Sequence, residues 1–305
     1  MPPKISVVIP AYNAEMTIRK ALDSVLRQTI KPLEIVVVDD GSADGTVLAV
    51  QKYGSGVKLL RQANQGAGAA RNHGVEAALG DWIAFLDADD EWLPGKLERQ
   101  LLAITDRDAT LVHTAVAGRP VPPTELDFQE LWRRNWIATS SVAVRKDRFC
   151  AVGGFPIDLA PVEDYYVWLK LAFRYGGILA CSEPLTIYSP TDQSVTRNTD
   201  RFVRSLLECL ERVGTETGLT REQIKVQKLN TYAGHARGLI HLRQRKAAQM
   251  WLAEATRLGY SFQCWLLRAL SYLPDWVFNA YRALKRAGQF GSDRGRKAGG
   301  DHSIT

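Results

Sequence analysis

The chain has 305 residues, of which 46% are hydrophobic and 24% are charged. This balance is typical of a soluble globular protein, and no run of about 18 apolar residues is present that would span a bilayer. The four cysteines lie far apart and form no C-x-x-C pair, which argues against a zinc site or a disulfide framework. We therefore expect a protein with reduced thiols in the cytoplasm.

Charge is distributed unevenly along the chain. Residues 1–200 carry 21 Lys and Arg against 25 Asp and Glu, whereas residues 201–305 carry 18 against 8. The basic last third predicts an anionic partner, and it contains no motif for binding nucleic acid. An anionic membrane fits better, because the region holds several aromatic residues among its leucines: Trp251, Trp265, Tyr272, Trp276 and Tyr281. Peripheral contact with the inner face of the plasma membrane is one interpretation of residues 258–281, and ordinary helix packing is the other.

Short apolar runs alternate with helix-like stretches up to about residue 105. The apolar runs predict four buried strands: Ile5–Ile9, Ile35–Val38, Val57–Leu60 and Trp82–Leu86. Helices are predicted between them: Met16–Arg27, Gly45–Lys52 and Ala67–Leu79. This alternation indicates βαβ units, and so an α/β fold whose mostly parallel sheet has helices on both faces. In such sheets ligands bind where the strands end in loops.

The rest of the chain is mixed and then helical. The mixed part predicts three strands and one helix: Thr110–Ala117, Ser141–Val144, Ile178–Cys181 and the helix Glu163–Arg174. Four further helices are predicted: Arg201–Thr217, Arg221–Leu242, Lys246–Leu258 and Trp276–Arg286. The predicted division is a first domain of two halves, a helical region and a disordered tail: residues 1–105 and 106–195, residues 196–287, and residues 288–305.

An acidic run, Asp87-Ala88-Asp89-Asp90, directly follows the predicted strand that ends at Leu86. Carboxylates this close repel one another unless a cation neutralises them, and their oxygens suit Mg²⁺ or Mn²⁺. The alternative is a solvated acidic turn before the next helix, whose start Pro94 marks. The residues alone leave both interpretations open.

Three other clusters contain residues suited to binding or catalysis. Asp39 and Asp40 end a buried strand, where they could accept a hydrogen bond from a base or ribose, or simply form a turn. Arg71 lies in N-Q-G-A-G-A-A-R-N-H-G and could bind phosphate or a base, or lie on a helix surface. Glu163 and Asp164 open a predicted helix, where carboxylates are common caps. The helix dipole predicts a lowered pKa for Asp164.

The order and spacing of these clusters resemble one family. Five segments within about residues 4–190 together resemble the family 2 glycosyltransferases with the A-type nucleotide-sugar fold. They are S-V-V-I-P-A-Y-N-A-E, V-V-V-D-D-G-S-A-D-G-T, N-Q-G-A-G-A-A-R-N-H-G, G-D-W-I-A-F-L-D-A-D-D-E-W and V-G-G-F…V-E-D. The resemblance implies a Rossmann-like nucleotide-diphospho-sugar transferase fold. It also implies a nucleotide-sugar donor, for which we expect a UDP- or dTDP-sugar, and a saccharide or lipid-linked acceptor in bacterial surface-polysaccharide or glycolipid assembly.

The resemblance also assigns roles to individual residues. It implies that one group binds the nucleotide, with Tyr12 stacked on the base: Pro10, Ala11, Tyr12, Asp39, Asp40, Arg71 and Asp87. It implies that Asp89 binds the metal beside the diphosphate. Asp164 would be the catalytic base, with Glu163 alongside it, and Trp168 would line the acceptor side.

This assignment makes chemical sense as a single displacement. A divalent metal neutralises the leaving diphosphate, and a base deprotonates the attacking hydroxyl, so that one attack gives one inversion. No Q-x-x-R-W motif follows Asp164, which favours transfer of one sugar at a time. The competing classes are a sugar nucleotidyltransferase and a non-catalytic nucleotide-sugar-binding module.

Overall fold

A computed structural model describes residues 3–189, 199–259 and 261–273, and their strands form one nine-stranded sheet. The strands are β1 (Ile5–Ala11), β2 (Glu34–Asp39), β3 (Lys58–Arg61), β4 (Trp82–Phe85), β5 (Glu91–Trp92), β6 (Leu111–Val116), β7 (Glu125–Leu126), β8 (Val142–Arg145) and β9 (Ile178–Ile187). The helices are α1 (Ile18–Leu26), α2 (Thr46–Gln51), α3 (Ala67–Ala77), α4 (Lys96–Asp106), α5 (Phe128–Arg133), α6 (Lys146–Ala151), α7 (Glu163–Tyr175), α8 (Thr199–Glu216), α9 (Arg221–His241), α10 (Arg245–Leu258) and α11 (Phe262–Ser271).

The sheet is parallel in its first half and mixed in its second. Its strand order is β3-β2-β1-β4-β8-β6-β9-β5, with β7 paired to β9. β1 runs parallel to β2 and β4, and β2 runs parallel to β3, as the predicted βαβ units require. β8 is antiparallel to both β4 and β6. β6 and β9 are again parallel, whereas β5 and β7 pair with β9 in the antiparallel direction. The predicted parallel pairing therefore holds for the first four strands and for β6 with β9, and antiparallel pairs join the rest.

Helices cover both faces of this sheet, as predicted. Successive strand residues alternate between two hydrophobic cores, as the period of two in a strand requires. Val8 and Phe85 belong to the core that contains residues of α3 and α7. Val7 and Ala84 belong to the opposite core, which contains residues of α1 and α4. A sheet covered in this way exposes its strand ends, and the loops at those ends carry the candidate site.

The close packing of α3 against the sheet depends on Gly74. A Cβ at this position would lie 2.4 Å from Cγ1 of Val8 and 3.2 Å from Cγ2 of Val38, closer than van der Waals contact permits. The missing side chain lets α3 lie directly against β1 and β2. The start of α3, and with it Arg71, is thereby held beside the ends of those strands.

Most predicted elements are present, with bounds shifted by a few residues. β9 extends six residues beyond the predicted Cys181, and the two-residue strands β5 and β7 were not predicted. Helices α5, α6 and α11 were not predicted either. The predicted helix Trp276–Arg286, with Trp276 and Tyr281, and the predicted tail of residues 288–305 lie outside the described residues.

The chain divides into two compact units, Met1–Gln227 and Lys228–Thr305. The first unit ends about 30 residues beyond the predicted domain end at residue 195, because Cys209, Leu210 and Val213 of α8 belong to its core. In the second unit, Tyr232 packs against Trp251 of α10. Within residues 3–189, 199–259 and 261–273, none of the helices has the length and apolar character needed to span a bilayer.

Candidate active site

Two parallel strands bring the first predicted site residues together. Ala11, the last residue of β1, pairs with Asp39, the last residue of β2, and the Asp40 amide donates to the Ala11 carbonyl at 2.8 Å. Tyr12 directly follows and is 49% exposed, so its ring is available to a ligand. Pro10 and Ala11 are buried in β1, directly before Tyr12 in the chain. Their contact with a nucleotide stays a prediction.

The Asp40 carboxylate is buried and organises the loop that leads into α3. It accepts hydrogen bonds from Gln62 Nε2 at 2.9 Å, from the Gln65 amide at 2.9 Å and from the Gly66 amide at 2.8 Å. His73 Nδ1 lies 2.9 Å from Oε1 of Gln62, on the other side of that amide. Asp40 therefore has a clear structural role, and a hydrogen bond from it to a base stays a prediction. Gln62 and His73 were not predicted as members of this network.

Asp39 stabilises a turn rather than facing solvent. Its carboxylate is buried, accepts from the Ser42 amide at 3.3 Å and lies 3.5 Å from Nε of Arg61. Its short carboxylate reaches the backbone three residues on, across the turn-forming sequence Asp40-Gly41-Ser42. The turn interpretation of Asp39 is thus confirmed, and its predicted contact with a nucleotide stays a prediction.

Arg71 connects the acidic loop after β4 to the start of α7. Its guanidinium is buried and lies 2.6 Å from Oδ1 of Asp87 and 3.3 Å from Oε1 of Glu163. Burial disfavours the charged guanidinium, but the two carboxylates outweigh burial and raise the pKa of Arg71 above its ordinary value. The structure thus gives Arg71 a bridging role within the site. The alternative of a helix-surface arginine is wrong, and its predicted contact with a nucleobase stays a prediction.

The acidic loop itself holds carboxylates at high electrostatic cost. Asp90 is buried and accepts from the Ser189 amide at 3.0 Å. Burial, with the nearby charges of Asp87 and Asp89, raises the pKa of Asp90 to about 7, although hydrogen bonds from Ser140 and Ser189 act in the opposite direction. Carboxylates so crowded are stabilised when a cation lies beside them. Because Asp90 is buried, the loop is not a fully solvated turn, and cation binding by it stays a prediction.

The residues of this loop fit a divalent metal that the substrate helps to bind. In the part of the chain that the structure describes, no three acidic, histidine or cysteine side chains are grouped as a ready-made metal site. Mg²⁺ commonly uses one or two protein carboxylates and completes its coordination with water and substrate phosphates. Asp89 is half-buried, lies between Asp87 and Asp90, and has the oxygen ligands that such an ion prefers.

Asp164 lies in the first turn of α7 with its carboxylate oriented by two donors. Thr139 Oγ1 donates to Oδ2 at 2.7 Å, and the Tyr165 amide donates to Oδ1 at 2.6 Å. Burial and the neighbouring Glu163 raise the pKa of Asp164 to about 6, although Thr139, Arg71 and the Tyr165 amide lower it. The predicted lowering by the helix dipole is wrong, because loss of hydration outweighs it.

Trp168 does not lie where the sequence predicted it. Its side chain is fully buried, and its ring packs edge-on against Phe155 at 5.8 Å between centroids. The prediction that Trp168 lines the acceptor side is therefore wrong. The first turns of α7 are buried on nearly all sides, so a tryptophan there belongs to the hydrophobic core.

Two residues that connect these parts were missed in the sequence. Thr139 contacts Asp164, and Ser140 Oγ accepts from the Asp87 amide at 3.0 Å. Both belong to a short turn before β8, whose sequence T-S-S contains no charge or unusual backbone residue. No local signal in the sequence distinguishes such a turn from any other approach to a strand.

Comparisons with known proteins identify relatives over the same region. The model of glycosyl transferase family 2 matches residues 6–163. UDP-Glc:alpha-D-GlcNAc-diphosphoundecaprenol beta-1,3-glucosyltransferase WfgD of Escherichia coli is 32% identical over 177 residues, which cover 55% of this chain and 69% of that protein. The putative teichuronic acid biosynthesis glycosyltransferase TuaG of Bacillus subtilis is 29% identical over 210 residues, which cover 64% of this chain and 82% of that protein.

Two solved structures share the fold at low sequence identity. S. aureus TarS 1-349 in complex with UDP-GlcNAc has a TM-score of 0.60 and 18% identity, covering 88% of this chain and 89% of that one. Mannosyltransferase PcManGT from Pyrobaculum calidifontis, in complex with GDP-Man and Mn²⁺, has a TM-score of 0.61 and 21% identity, covering 88% of this chain and 79% of that one. These similarities confirm the predicted nucleotide-diphospho-sugar transferase fold.

Proposed function

Because the chain belongs to glycosyl transferase family 2, we propose that it transfers one sugar from a nucleotide-diphosphate sugar to an acceptor hydroxyl, with inversion at the anomeric carbon and with a divalent metal. The observation that carries this proposal is the convergence of two acidic motifs. Arg71 bridges Asp87 of the acidic loop and Glu163, and Glu163 directly precedes Asp164. A loop suited to a metal diphosphate and a candidate base are thus held on one scaffold.

Asp164 supplies the base. At pH 7 a carboxyl group with a pKa of about 6 is mostly ionised, yet it is a stronger base than an ordinary aspartate. Its two oxygens are oriented by Thr139 and the Tyr165 amide, which leaves further lone pairs for the acceptor hydroxyl. The proton moves from that hydroxyl to Asp164 as the oxygen attacks the anomeric carbon, and the bond to the nucleoside diphosphate breaks on the opposite face.

Asp89 is the proposed ligand of the metal, with Asp87 supporting the same loop. A bound Mg²⁺ or Mn²⁺ would neutralise the charge that develops on the leaving diphosphate. Asp87 is itself held by Arg71 and by the hydrogen bond from its amide to Ser140, so the loop is preorganised. The PcManGT complex contains Mn²⁺ with a nucleotide sugar, which supports a divalent metal for this fold.

We extend the proposal to a UDP- or dTDP-sugar donor and to a saccharide or lipid-linked acceptor. WfgD uses UDP-Glc and an undecaprenol diphosphate-linked acceptor, and TarS was solved with UDP-GlcNAc. Assembly of a bacterial surface polysaccharide or glycolipid, at the cytoplasmic side of the membrane, would use both substrates. The missing Q-x-x-R-W motif favours the addition of one sugar at a time.

The experiment that tests this function is a substrate panel with two product assays. The purified chain is incubated with Mn²⁺, with UDP-, dTDP- or GDP-sugars, and with N-acetylglucosamine linked through diphosphate to a short lipid. We expect release of nucleoside diphosphate that requires the acceptor. Pyrophosphate release from a nucleoside triphosphate and a sugar 1-phosphate would instead indicate a nucleotidyltransferase, and binding without either product would indicate a binding module.

Tyr12→Ala should weaken nucleotide binding. Stacking of an aromatic side chain on a base contributes about 1–3 kcal/mol, so UDP or dTDP affinity should fall about 5- to 150-fold. Isothermal titration calorimetry with wild type, Tyr12→Ala and Tyr12→Phe checks this, since Tyr12→Phe keeps the ring and should bind almost normally. Unchanged affinity in Tyr12→Ala would mean that the exposed ring does not contact the base.

We also propose peripheral contact with an anionic membrane through α11. The helix and the residue after it expose four large apolar side chains, among which the rings of Phe262 and Trp265 stack: Phe262, Trp265, Leu266 and Tyr272. Residues 228–273 carry seven Lys and Arg against one Glu, so these side chains lie in a basic unit. Aromatic and leucine side chains beside basic residues suit the interface of an anionic bilayer.

Sedimentation with phosphatidylglycerol liposomes at low salt tests this contact. Binding should fall at least about tenfold in Phe262→Ser/Trp265→Ser, because a fully buried aromatic side chain contributes about 1.5–3 kcal/mol. Leu79→Ser, at an exposed apolar residue of the first unit, serves as the matched control and should bind like wild type. A wild-type chain that ignores these liposomes would favour ordinary helix packing.

A further inference from the structure

One short turn contacts both the candidate base and the acidic loop. The turn comprises Thr139, Ser140 and Ser141, directly before β8. Thr139 Oγ1 donates to Oδ2 of Asp164 at 2.7 Å. Ser140 Oγ accepts from the Asp87 amide at 3.0 Å and also forms a hydrogen bond with Asp90. Two successive side chains thus reach the two acidic motifs of the proposed site.

Two buried side chains donate hydrogen bonds to the backbone of this turn. Trp92 Nε1 donates to the Ser140 carbonyl at 2.7 Å, and Gln100 Nε2 donates to the Ser141 carbonyl at 2.9 Å. All three residues of the turn are buried. A side chain on such a support has little freedom to rotate, so its hydrogen bond has a fixed direction.

We propose that Thr139 is a positioning residue for Asp164: its hydroxyl fixes the direction of the carboxylate and favours its ionised form. The inference rests on the proposed function, in which Asp164 is the base. A hydroxyl that donates to one carboxylate oxygen stabilises the charged form and restricts rotation of the group. A base in a fixed direction needs no reorganisation when the acceptor hydroxyl arrives.

Other charged and titratable side chains also surround the Asp164 carboxylate. On α7, Glu163 disfavours a second negative charge, and from α3 Arg71 favours it. From α8, the Cys209 thiol faces Asp164, and its pKa is raised by burial first and by the Asp164 charge second. Thr139 contributes a side-chain hydrogen bond to Asp164 itself, at 2.7 Å. Its removal therefore leaves the surrounding charges in place and changes the orientation and the pKa of the carboxyl group.

The test uses Thr139→Val, which keeps the shape and removes the hydroxyl, and Thr139→Ser, which keeps the hydroxyl. The substrates are UDP-glucose and the lipid-diphosphate-linked N-acetylglucosamine of the panel, or the donor of the panel that reacts fastest. We expect kcat of Thr139→Val to fall about 10- to 100-fold, the effect of losing a hydrogen bond to a charged group. Since this bond lowers the pKa of Asp164, the acid limb of the pH profile should move to higher pH. Thr139→Ser should restore both, and the KM for the donor should change little.

Two controls separate this role from a general loss of structure. Thr29 Oγ1 donates to Glu98 Oε2 at 2.9 Å on the surface, so Thr29→Val removes the same kind of bond elsewhere and should have normal activity. If Thr139→Val does not fold, the smaller variants Thr139→Ser and Thr139→Ala, which differ only by the hydroxyl, replace it. Thermal unfolding of each variant reports on its fold.

Asp164→Asn, measured in the same series, distinguishes failure of the proposed function from failure of the positioning role of Thr139. Near-normal transfer by Asp164→Asn would contradict the proposed function itself. Collapse of Asp164→Asn together with an unchanged rate and pH profile in Thr139→Val would overturn the positioning role alone. A slow Thr139→Val whose pH profile stays unchanged, and which Thr139→Ser does not rescue, would also overturn it, because packing alone would then explain the loss.

Discussion

Asp164→Asn should lower the rate of sugar transfer by about 100- to 10,000-fold, the contribution of a positioned general base. The substitution keeps the size of the side chain and removes its ability to accept the proton. The Asp164 carboxylate accepts hydrogen bonds from Thr139 and from the Tyr165 amide, and it has no role in nucleotide binding in our proposal. The affinity for nucleoside diphosphate should therefore stay close to that of wild type. Single-turnover rates and calorimetry on the same preparations check both statements.

The pH dependence gives this prediction a second signature. Asp164 must be ionised to act, and its pKa is raised to about 6. Transfer should therefore be full above this pH and be lost as the pH falls through about 6. Asp158→Asn, six residues earlier at an exposed carboxylate paired with Arg212, is the matched control and should transfer normally. If Asp164→Asn also loses nucleotide binding, Asp164 would instead be a structural cap at the start of α7.

Glu163→Gln should affect transfer less than Asp164→Asn. Its carboxylate is buried beside Arg71 at 3.3 Å and has no direct role as acceptor of the proton in our proposal. Removing this charge leaves the buried guanidinium with Asp87 as its remaining close partner, so we expect a measurable loss of thermal stability. A larger loss of kcat in Glu163→Gln than in Asp164→Asn would reverse the two roles.

Asp89→Ala should lower transfer by about 100-fold or more. The proposed ion stabilises charge that appears on the leaving diphosphate, and loss of one preorganised charge-stabilising group costs at least this much. Wild-type activity should likewise disappear in excess chelator and return with added Mn²⁺. Activity and Mn²⁺ binding are measured on both proteins.

Asp81→Ala is the matched control for the metal prediction. Asp81 immediately precedes β4, whereas Asp89 lies in the loop after this strand, so the control removes an exposed carboxylate from the opposite end of the same strand. It should transfer normally. Normal turnover of wild type in excess chelator would contradict the assignment of the acidic loop to a metal.

The sequence predicted those features that produce a local pattern. Alternation of apolar runs and helices gave the parallel strands β1 to β4, because each βαβ unit is contiguous in the chain. The acidic residues Asp87 to Asp90 and the pair Glu163–Asp164 stand out because each group places neighbouring carboxylates at an element boundary, after a buried strand or at a helix start. Their order along the chain, more than either group alone, pointed to the site, since carboxylates at a helix start are also common caps. The antiparallel insertion of β8 between β4 and β6 has no comparable signal, since its partners lie far away along the chain.

The contacts between site residues that are distant in the chain could not be predicted from the sequence. Thr139 and Asp164 are 25 residues apart, and Arg71 and Glu163 are 92 apart, so no spacing rule joins them. Arg71 was open to three interpretations, and only the folded chain shows it between two carboxylates. Trp168 was misplaced because its role was taken from the family resemblance, whereas α7 is buried on nearly all sides there.

The stereochemistry of the product shows whether transfer is a single displacement with Asp164 as the base. With the donor and acceptor that the panel identifies, proton NMR of the purified product gives the configuration of the new glycosidic bond through its anomeric coupling constant. A single displacement assisted by one base predicts inversion, so that an α-linked nucleotide sugar gives a β-linked product. An α-linked product would show retention and would contradict the account of Asp164 as the base of a single displacement.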